Sequence, residues 1–337
     1  MKKVSVLIPM FNCETYISEA IDSALGQTYN NIEVIIVDDG STDASLQVAK
    51  KYESEKVKVF TLPHGGAPRA RNYAFKMSQG DYIQYLDADD LLAPNKIEEH
   101  VRILEERGNN CLAFCSYTRD YDDFILGNYI AQEVNKDYSN PINLFLDLFH
   151  SKGDVLFTSW LFPRVLIQHA EPMNEQLIKS IDSDFTLKIA LKCTRLIYCK
   201  DTLVFYRATG SSRITTNQGP GAIRSVITAA ESMQKVMQKH ENSDRVKKAF
   251  ITLYSHIFCT YYNEINTIHL INVERHIDDL GGSLKFIGNK YFGFLAKIIG
   301  VKNALILKTR FKRILNIFRF NKFFIIIKAL IMKPEQI

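Results

Sequence analysis

Along the first 118 residues, short apolar runs alternate with amphipathic stretches in the order strand, helix, strand. Val4 to Pro9 reads as a strand, and Ile17, Ile21, Ala24, Leu25 and Thr28 fall on one face of a helix. Ile32 to Val37 is a nearly unbroken β-branched run, as expected of a strand buried on both faces of a parallel sheet. Ser41-Thr42-Asp43 caps a helix reaching Tyr52, and Val57 to Leu62 is a third strand. Pro68 suits the first turn of the next helix and Gly80 its end. Tyr82 to Leu86, a helix from Pro94 to Arg107 stopped by Gly108, and a fifth strand from Cys111 to Tyr117 complete the series. This alternation predicts an α/β sheet of nucleotide-binding type.

The cues change after that. Arg119 to Asn140 is polar and dotted with aromatics, and reads as a loop or lid. Elements resume near Pro141, with strand-like pieces at Val155–Phe157 and Leu203–Tyr206 around a helix at Ser180–Lys192. Gly219-Pro220-Gly221 is the clearest punctuation in the chain, and beyond it Ala222–His240 and Val246–Ile268 read as long helices. The expected organisation is an α/β domain at 1–218, made of a nucleotide-binding half at 1–118 and a second half at 119–218. A helical extension follows at 219–337, with a basic amphipathic tail from about residue 284.

Composition sharpens the tail and little else. The chain has 337 residues, of which 46% are apolar and 23% charged, ordinary values for a globular protein. The net charge of +5 is uneven: twelve Lys and Arg against Glu335 give +11 from Lys285 onward, leaving −6 for the rest. Phe311, Leu315 and Phe318 form a helical stripe flanked by Lys312, Arg313 and Arg319. Such a face suits an anionic membrane surface, here residues 285–333; the alternative is a helix packed on the catalytic domain or in a homo-oligomer. No nucleic-acid motif accompanies the basic residues. The longest apolar run, Phe323 to Met332, is too short to span a bilayer and is interrupted by Lys328. Val4 to Phe11 is likewise too short for a signal peptide. Six cysteines without a CxxC pair read as reduced. The expected location is cytoplasmic, peripheral at the inner face of the cell membrane.

Candidate chemistry lies at two acidic clusters, Asp38-Asp39 and Asp87-Ala88-Asp89-Asp90, at the carboxyl ends of the second and fourth strands. Ligands bind at that edge of open α/β sheets. If strand geometry persists, Asp87 and Asp89 present their carboxylates to one side, and two hard oxygen ligands suit a divalent cation that also holds phosphate. Arg69 and Arg71 are the local counter-charges.

Val6-Leu7-Ile8-Pro9-Met10-Phe11-Asn12, Gln27-Thr28-Tyr29, Glu33 to Asp43, Ala70-Arg71-Asn72 and Gly80 to Asp90 together resemble family 2 glycosyltransferases of the GT-A fold, non-processive and of bacterial surface-polysaccharide type. The likeness runs in order over about the first 90 residues and more loosely to Arg213. It implies a Rossmann-like mixed sheet flanked by helices with a helical C-terminal extension. It also implies an inverting, metal-dependent transfer of one sugar from a UDP-sugar to a hydroxyl of a glycan or lipid-linked oligosaccharide. Pro9 and Phe11 would line the nucleoside pocket, Asp39 would accept from the uracil imide, and Arg71 would lie near base and phosphates. Asp87 would reach the ribose or share the metal, with Ala88 beside it in the nucleotide-sugar site. Asp89 would be the direct ligand of Mn²⁺ or Mg²⁺. The general base aligns with Asp182, and Asp184 is the reserve.

Some positions depart from the family pattern. Ile181 stands where a Glu is common, and Thr209 where a His would be a third metal ligand. The processive Gln-x-x-Arg-Trp signature is absent. His64 could line the pocket, and Trp160 could stack on a sugar or pack in the core. A sugar-phosphate nucleotidyltransferase would need a Gly-rich phosphate loop after the first strand, and Pro9 to Glu14 is not one. A non-catalytic sugar-nucleotide-binding or scaffold protein that has lost its base is the other rival.

Overall fold

Every residue of β2 (Ile32–Asp38) is buried, as is all of β1 (Val4–Met10) except Pro9, and the rest of the sheet grows outward from this pair. The polar members are satisfied internally: Ser5 Oγ donates to Glu33 Oε1 at 2.7 Å, and Gln79 N donates to the same oxygen at 2.6 Å. The computed structural model describes residues 1–108, 110–207, 219–262, 267–288 and 290–310.

β3 (Val57–Thr61), β2, β1 and β4 (Tyr82–Tyr85) run parallel in that order. Between them lie α1 (Ile17–Leu25), α2 (Ser45–Lys50) and α3 (Ala67–Met77), the last carrying a proline in its first turn. The second half of the sheet is mixed. β7 (Trp160–Pro163) lies antiparallel to both β4 and β6 (Cys111–Thr118). β8 (Arg195–Phe205) then runs parallel to β6 and antiparallel to the two-residue β5 (Leu91–Leu92). Two reversals at β7 bring β6 and β8 back to the direction of β1, so their carboxyl ends share one edge with β1, β2 and β4. This is the GT-A arrangement the sequence resemblance implies.

The remaining helices of this unit are α4 (Lys96–Arg107), α5 (Tyr121–Leu126), α6 (Ile142–Phe149), α7 (Arg164–Gln168), α8 (Ile181–Ala190) and α9 (Pro220–His240). α5 lies inside the stretch read as a loop: Asp120 Oδ1 accepts from Asp122 N and Asp123 N, and Gly127 at φ 74° ends the helix. The strand expected at Val155–Phe157 falls instead at Trp160–Pro163, after a 3-10 turn at Phe157–Ser159. β8 starts eight residues before Leu203, and a register shift between Cys115 and Ser116 absorbs the irregularity. The chain divides into compact units at Met1–Phe250 and Ile251–Ile337, so α9 belongs to the first. α10 (Asp244–Tyr261), α11 (Thr267–Asp279) and α12 (Lys290–Ile299) follow; the single helix expected over Val246–Ile268 is described only to Tyr261.

One buried cation stands out. Lys96, 0% exposed, donates to Gln84 Oε1 and to Trp160 O, with no carboxylate among these partners. Burial pushes its ammonium down to about 8, against the opposing pull of Cys115 and Cys199. Between pH 8 and its ordinary value of 10.5, the unfolded chain holds a proton that the folded chain has released, so this group makes stability rise with pH. Relative to Lys96→Met, the wild type is expected to gain up to about 3 kcal/mol across that window. Urea unfolding of both proteins from pH 7 to 10 measures it; a pH-independent difference would refute the shift.

Candidate active site

The site forms where β1, β2 and β4 end, and its loops are tied to one another before any ligand is considered. Asn12, at φ 45°, donates its N–H to Ser41 Oγ at 3.0 Å and accepts from Thr42 N at 2.8 Å. A positive φ costs Asn less than most residues, which fits it to this turn. Pro9 and Phe11 flank the strand end. The Phe11 ring is exposed and stacks on His64 with centroids 4.3 Å apart. His64 Nδ1 lies 2.8 Å from Asp39 Oδ2, so the lone loop histidine is part of this edge.

Asp39 is buried, and its carboxylate organises the loop entering α3. Oδ1 accepts from Gly65 N at 2.9 Å and Oδ2 from Gly66 N at 2.8 Å. Oδ1 keeps a second lone pair, while Oδ2 also faces His64 Nδ1. Gly40, at φ 77°, allows the approach, since a Cβ there would lie 2.9 Å from His64 N.

Arg71, on α3, occupies the centre. Its Nη2 donates to Asp87 Oδ1 and its Nη1 to Asp182 Oδ1, both at 2.6 Å. Its guanidinium sits 4.9 Å over the Phe157 ring. Among the described atoms, its buried Nε has no hydrogen-bond partner. Burial alone would lower the pKa of Arg71; Asp182 and Asp87 outweigh that, and the net direction is up. The next residue repeats the function with an amide. Asn72 accepts from Met173 N at 3.0 Å and donates to Met173 O at 2.9 Å and Glu175 Oε1 at 3.0 Å. Two adjacent residues of α3 therefore hold both the Asp87 turn and the segment leading into α8.

Asp182 lies in the first turn of α8, after Ser180 at φ 59°. Its side chain keeps 43% of its surface open yet sits in a protein-lined recess. Burial raises its pKa, Arg71 opposes, and Asp87 adds to the rise. Asp184, the reserve candidate, is buried and paired with Lys188 at 2.9 Å, and Ile181 packs in the core. The geometry therefore favours Asp182 over Asp184 as the carboxylate that reaches the recess.

Strand geometry does not persist through Asp87-Ala88-Asp89. β4 ends at Tyr85, and the chain turns with Asp90 N donating to Asp87 O at 3.1 Å. Ala88 is buried, whereas Asp87 and Asp89 keep part of their surface open. Asp90 goes inward: it accepts from Arg207 N at 3.2 Å and from Thr158 Oγ1 at 3.3 Å. Burial, then Asp87 and Asp89, raise its pKa well above the ordinary carboxylate range. Arg207 also donates from Nε to Asp89 O at 3.0 Å and from Nη2 to Glu19 at 2.6 Å. Among the described residues no three His, Cys, Asp or Glu side chains converge as a metal cage. Two carboxylates in one turn fit a cation that takes its other ligands from phosphate and water.

Phe157, Asn72 and Arg207 carry the frame and had no assigned role in the sequence. Arg207 was within reach of the sequence, since it lies two residues before Thr209 in the stretch compared with the family pattern. Trp160 is a core residue, 4.9 Å from the Phe114 ring, and not a sugar platform. Thr209 to Arg213 lie outside the described residues.

A family model described as Glycosyl transferase family 2 matches residues 5–168. A glycosyltransferase of Rickettsia typhi, itself uncharacterized, is 44% identical over 242 residues, covering 71% of this chain and 73% of the relative. Longer rickettsial relatives are matched over about a third of their length. Staphylococcus aureus TarS 1–349 in complex with UDP-GlcNAc superposes with a TM-score of 0.67 at 18% identity, over 92% of each chain. A mannosyltransferase, PcManGT from Pyrobaculum calidifontis, in complex with GDP-Man and Mn²⁺, gives 0.54 at 17% identity, over 93% of this chain and 80% of its own. At these identities the structural likeness is one of fold.

Arg71→Lys replaces a fork that reaches two carboxylates with a single ammonium. Because both partners are partly open to solvent, the expected loss is about 1–3 kcal/mol, below that of a fully buried pair. Urea unfolding at pH 7 reads it; an unchanged midpoint would show that the double ion pair does not hold the two segments together.

Proposed function

The chain belongs to glycosyl transferase family 2 and is a glycosyltransferase; on that premise we propose that it moves a single sugar from a UDP-sugar, with inversion, to a hydroxyl of a glycan or lipid-linked oligosaccharide in cell-surface polysaccharide synthesis. The observation that carries this reading is the Arg71 bridge between Asp87 on the donor side and Asp182 in the recess. One guanidinium keeps the two carboxylates at a fixed separation, so a base is held relative to the leaving group.

In this reaction the acceptor oxygen attacks the anomeric carbon from the face opposite the diphosphate. The new C–O bond forms as the bond to the diphosphate oxygen breaks. The acceptor proton passes to Asp182, whose Oδ1 is held by Arg71 and whose Oδ2 is left to receive it. Burial brings the Asp182 pKa up from the ordinary carboxylate value, which strengthens it as a base, and Arg71 limits the rise. Asp89, with Asp87, would hold Mn²⁺ or Mg²⁺, which when bound offsets the charge appearing on the leaving diphosphate. Pro9 and the Phe11–His64 ring pair border the space for the base, and Asp39 would accept from its imide N–H. A structural neighbour that binds UDP-GlcNAc supports a UDP-sugar, and one that binds GDP-Man with Mn²⁺ supports a divalent metal.

For location we infer an anionic membrane surface. Tyr291, Phe294 and Ile298 recur at helical spacing on α12, and each is about two-thirds exposed. From Leu280 to Arg310 the chain carries no acid and six Lys or Arg. An exposed apolar stripe with cationic flanks binds anionic bilayers by both effects at once. The further stripe at Phe311, Leu315 and Phe318 lies outside the described residues. No helix among the described residues is long and apolar enough to cross a membrane.

Asp182→Asn is expected to retain UDP binding within about threefold and to lose transfer by about 10²–10⁴-fold. UDP release from a panel of UDP-sugars and GDP-Man, in Mn²⁺ and in EDTA, reads both donor and metal. Full transfer by the Asn variant would remove Asp182 from its role, and release in EDTA would remove the metal. Phe294→Ser combined with Ile298→Ser is expected to abolish flotation with phosphatidylglycerol-containing vesicles; unchanged flotation would sink the membrane assignment.

A further inference from the structure

We propose that Lys96 is a positioning residue for transfer: it pins the seam between the two half-sheets and thereby sets the Asp87–Asp90 turn. The proposal rests on the chain being a glycosyltransferase, and not on Asp182 being the base.

The seam is narrow. β7 has four residues, and it meets β4 only through Tyr82–Pro163 and Ile83–Phe162 before turning its other two residues to β6. Beyond Ile83 the ladder between β4 and β7 stops. There the Gln84 side chain crosses the gap, donating from Nε2 to Thr158 O at 2.8 Å and to Tyr85 O at 2.6 Å. Lys96 Nζ holds the other end of that amide, Oε1, and donates to Trp160 O at 3.1 Å. The amide is thereby fixed in one orientation, with its donors toward the 3-10 turn.

From this point two routes lead to the site. Thr158 Oγ1 donates to Asp90 Oδ2, Asp90 Oδ1 accepts from Arg207 N, and Arg207 Nε donates to Asp89 O. The adjacent Phe157 is the ring beneath Arg71. A buried ammonium with neutral acceptors is an expensive way to fill space, and an apolar side chain of the same length would be cheaper. Its use is intelligible if orientation of Gln84 is what it provides. His100, one turn further along α4, is fully buried with no hydrogen-bond partner at either ring nitrogen among the described atoms, and it supplies no counter-charge.

The test compares the full-length wild type with Lys96→Met and Gln84→Glu. The second variant is isosteric, pairs the ammonium, and replaces the donor facing Thr158 O by an acceptor. Three measurements are made at pH 7: melting temperature, peptide-resolved hydrogen exchange, and calorimetric titration of UDP with Mn²⁺. The expected result is a melting temperature at or above wild type in both variants. Amide exchange should be about tenfold faster at 84–90 and 156–160 and unchanged in β1 and β2, with UDP affinity about tenfold weaker. A residue that only supported the core would lose melting temperature and protection together. Wild-type exchange at both segments, or loosening spread evenly over β1 and β2, would overturn the proposal. Should Lys96→Met fail to fold, Gln84→Glu decides alone by the same criteria. Should the wild type bind no UDP, exchange still decides, and the fault then lies with the assigned nucleotide.

Discussion

A guanidinium that is buried must find anions, and Arg71 finds two, on segments 95 residues apart in the chain. That requirement organises the active site. Asp87 lies two residues past β4 in the half that precedes the mixed strands, and Asp182 lies in the first turn of α8 in the half that follows. Neither segment is fixed by a sheet partner at that point: β4 has ended at Tyr85, and α8 is entered through a left-handed Ser180. The ion pairs supply the fixity that the ladder no longer gives. Asn72 adds a second tie to Met173 and Glu175, so the segment leading into α8 is held at two places by neighbouring residues of one helix. A rigid helix carrying adjacent ties transmits its own register to both sides of the recess.

The same logic operates on the floor. Asp90 is deeply buried and points away from the recess, where it collects Thr158 Oγ1 and the Arg207 N–H. These two bonds join the Asp87–Asp90 turn to the start of β7 and the end of β8. Arg207 then closes the circuit through the Asp89 carbonyl and Glu19. A turn with no regular pairing of its own is thus fastened at its main chain while Asp87 and Asp89 remain part-exposed. Part-exposed carboxylates on an otherwise loose turn need such backing to hold one geometry.

How much of this is legible in the sequence depends on the range over which each feature is encoded. The four parallel strands are local and strong, because a strand buried on both faces must be apolar at every position, and Ile32 to Val37 nearly is. β5 and β7 are too short to carry a period, and Val155-Leu156-Phe157 looks more strand-like than Trp160 to Pro163 although the latter pairs. α5 was hidden because none of its residues is buried and its only strong signal is the Asp120 cap. Among site residues, Asp39, Asp87 and Asp89 stand out as acids at strand ends. The partnership of Arg71 with Asp182 spans 111 residues and leaves no local trace. Resemblance to a family brought Asp182 forward, and nothing in its spacing would have done so. Asp87 and Asp89 were expected to share a side by strand alternation; the turn at Ala88 sets their directions instead.

The charges in the recess make the physical case for a cation. Asp87 and Asp182 place two carboxylates on one guanidinium, Asp89 adds a third acid in the same turn as Asp87, and Asp90 is pushed toward its neutral form by burial and by its neighbours. The excess is negative before a donor arrives, and a nucleotide diphosphate brings more of the same sign. Arg71 is poorly placed to absorb it, since it is buried and the N–H groups it turns toward the site already serve two carboxylates. Two courses are open to a diphosphate entering there. It can displace a carboxylate from Arg71, which would release the tie that holds Asp182, or it can share a divalent ion with Asp89 and Asp87. The first undoes the preorganisation on which a base in a fixed place depends; the second leaves it intact. On the proposed reading, a site built around a doubly paired arginine would be better matched to metal-assisted departure of the diphosphate than to departure assisted by that arginine alone.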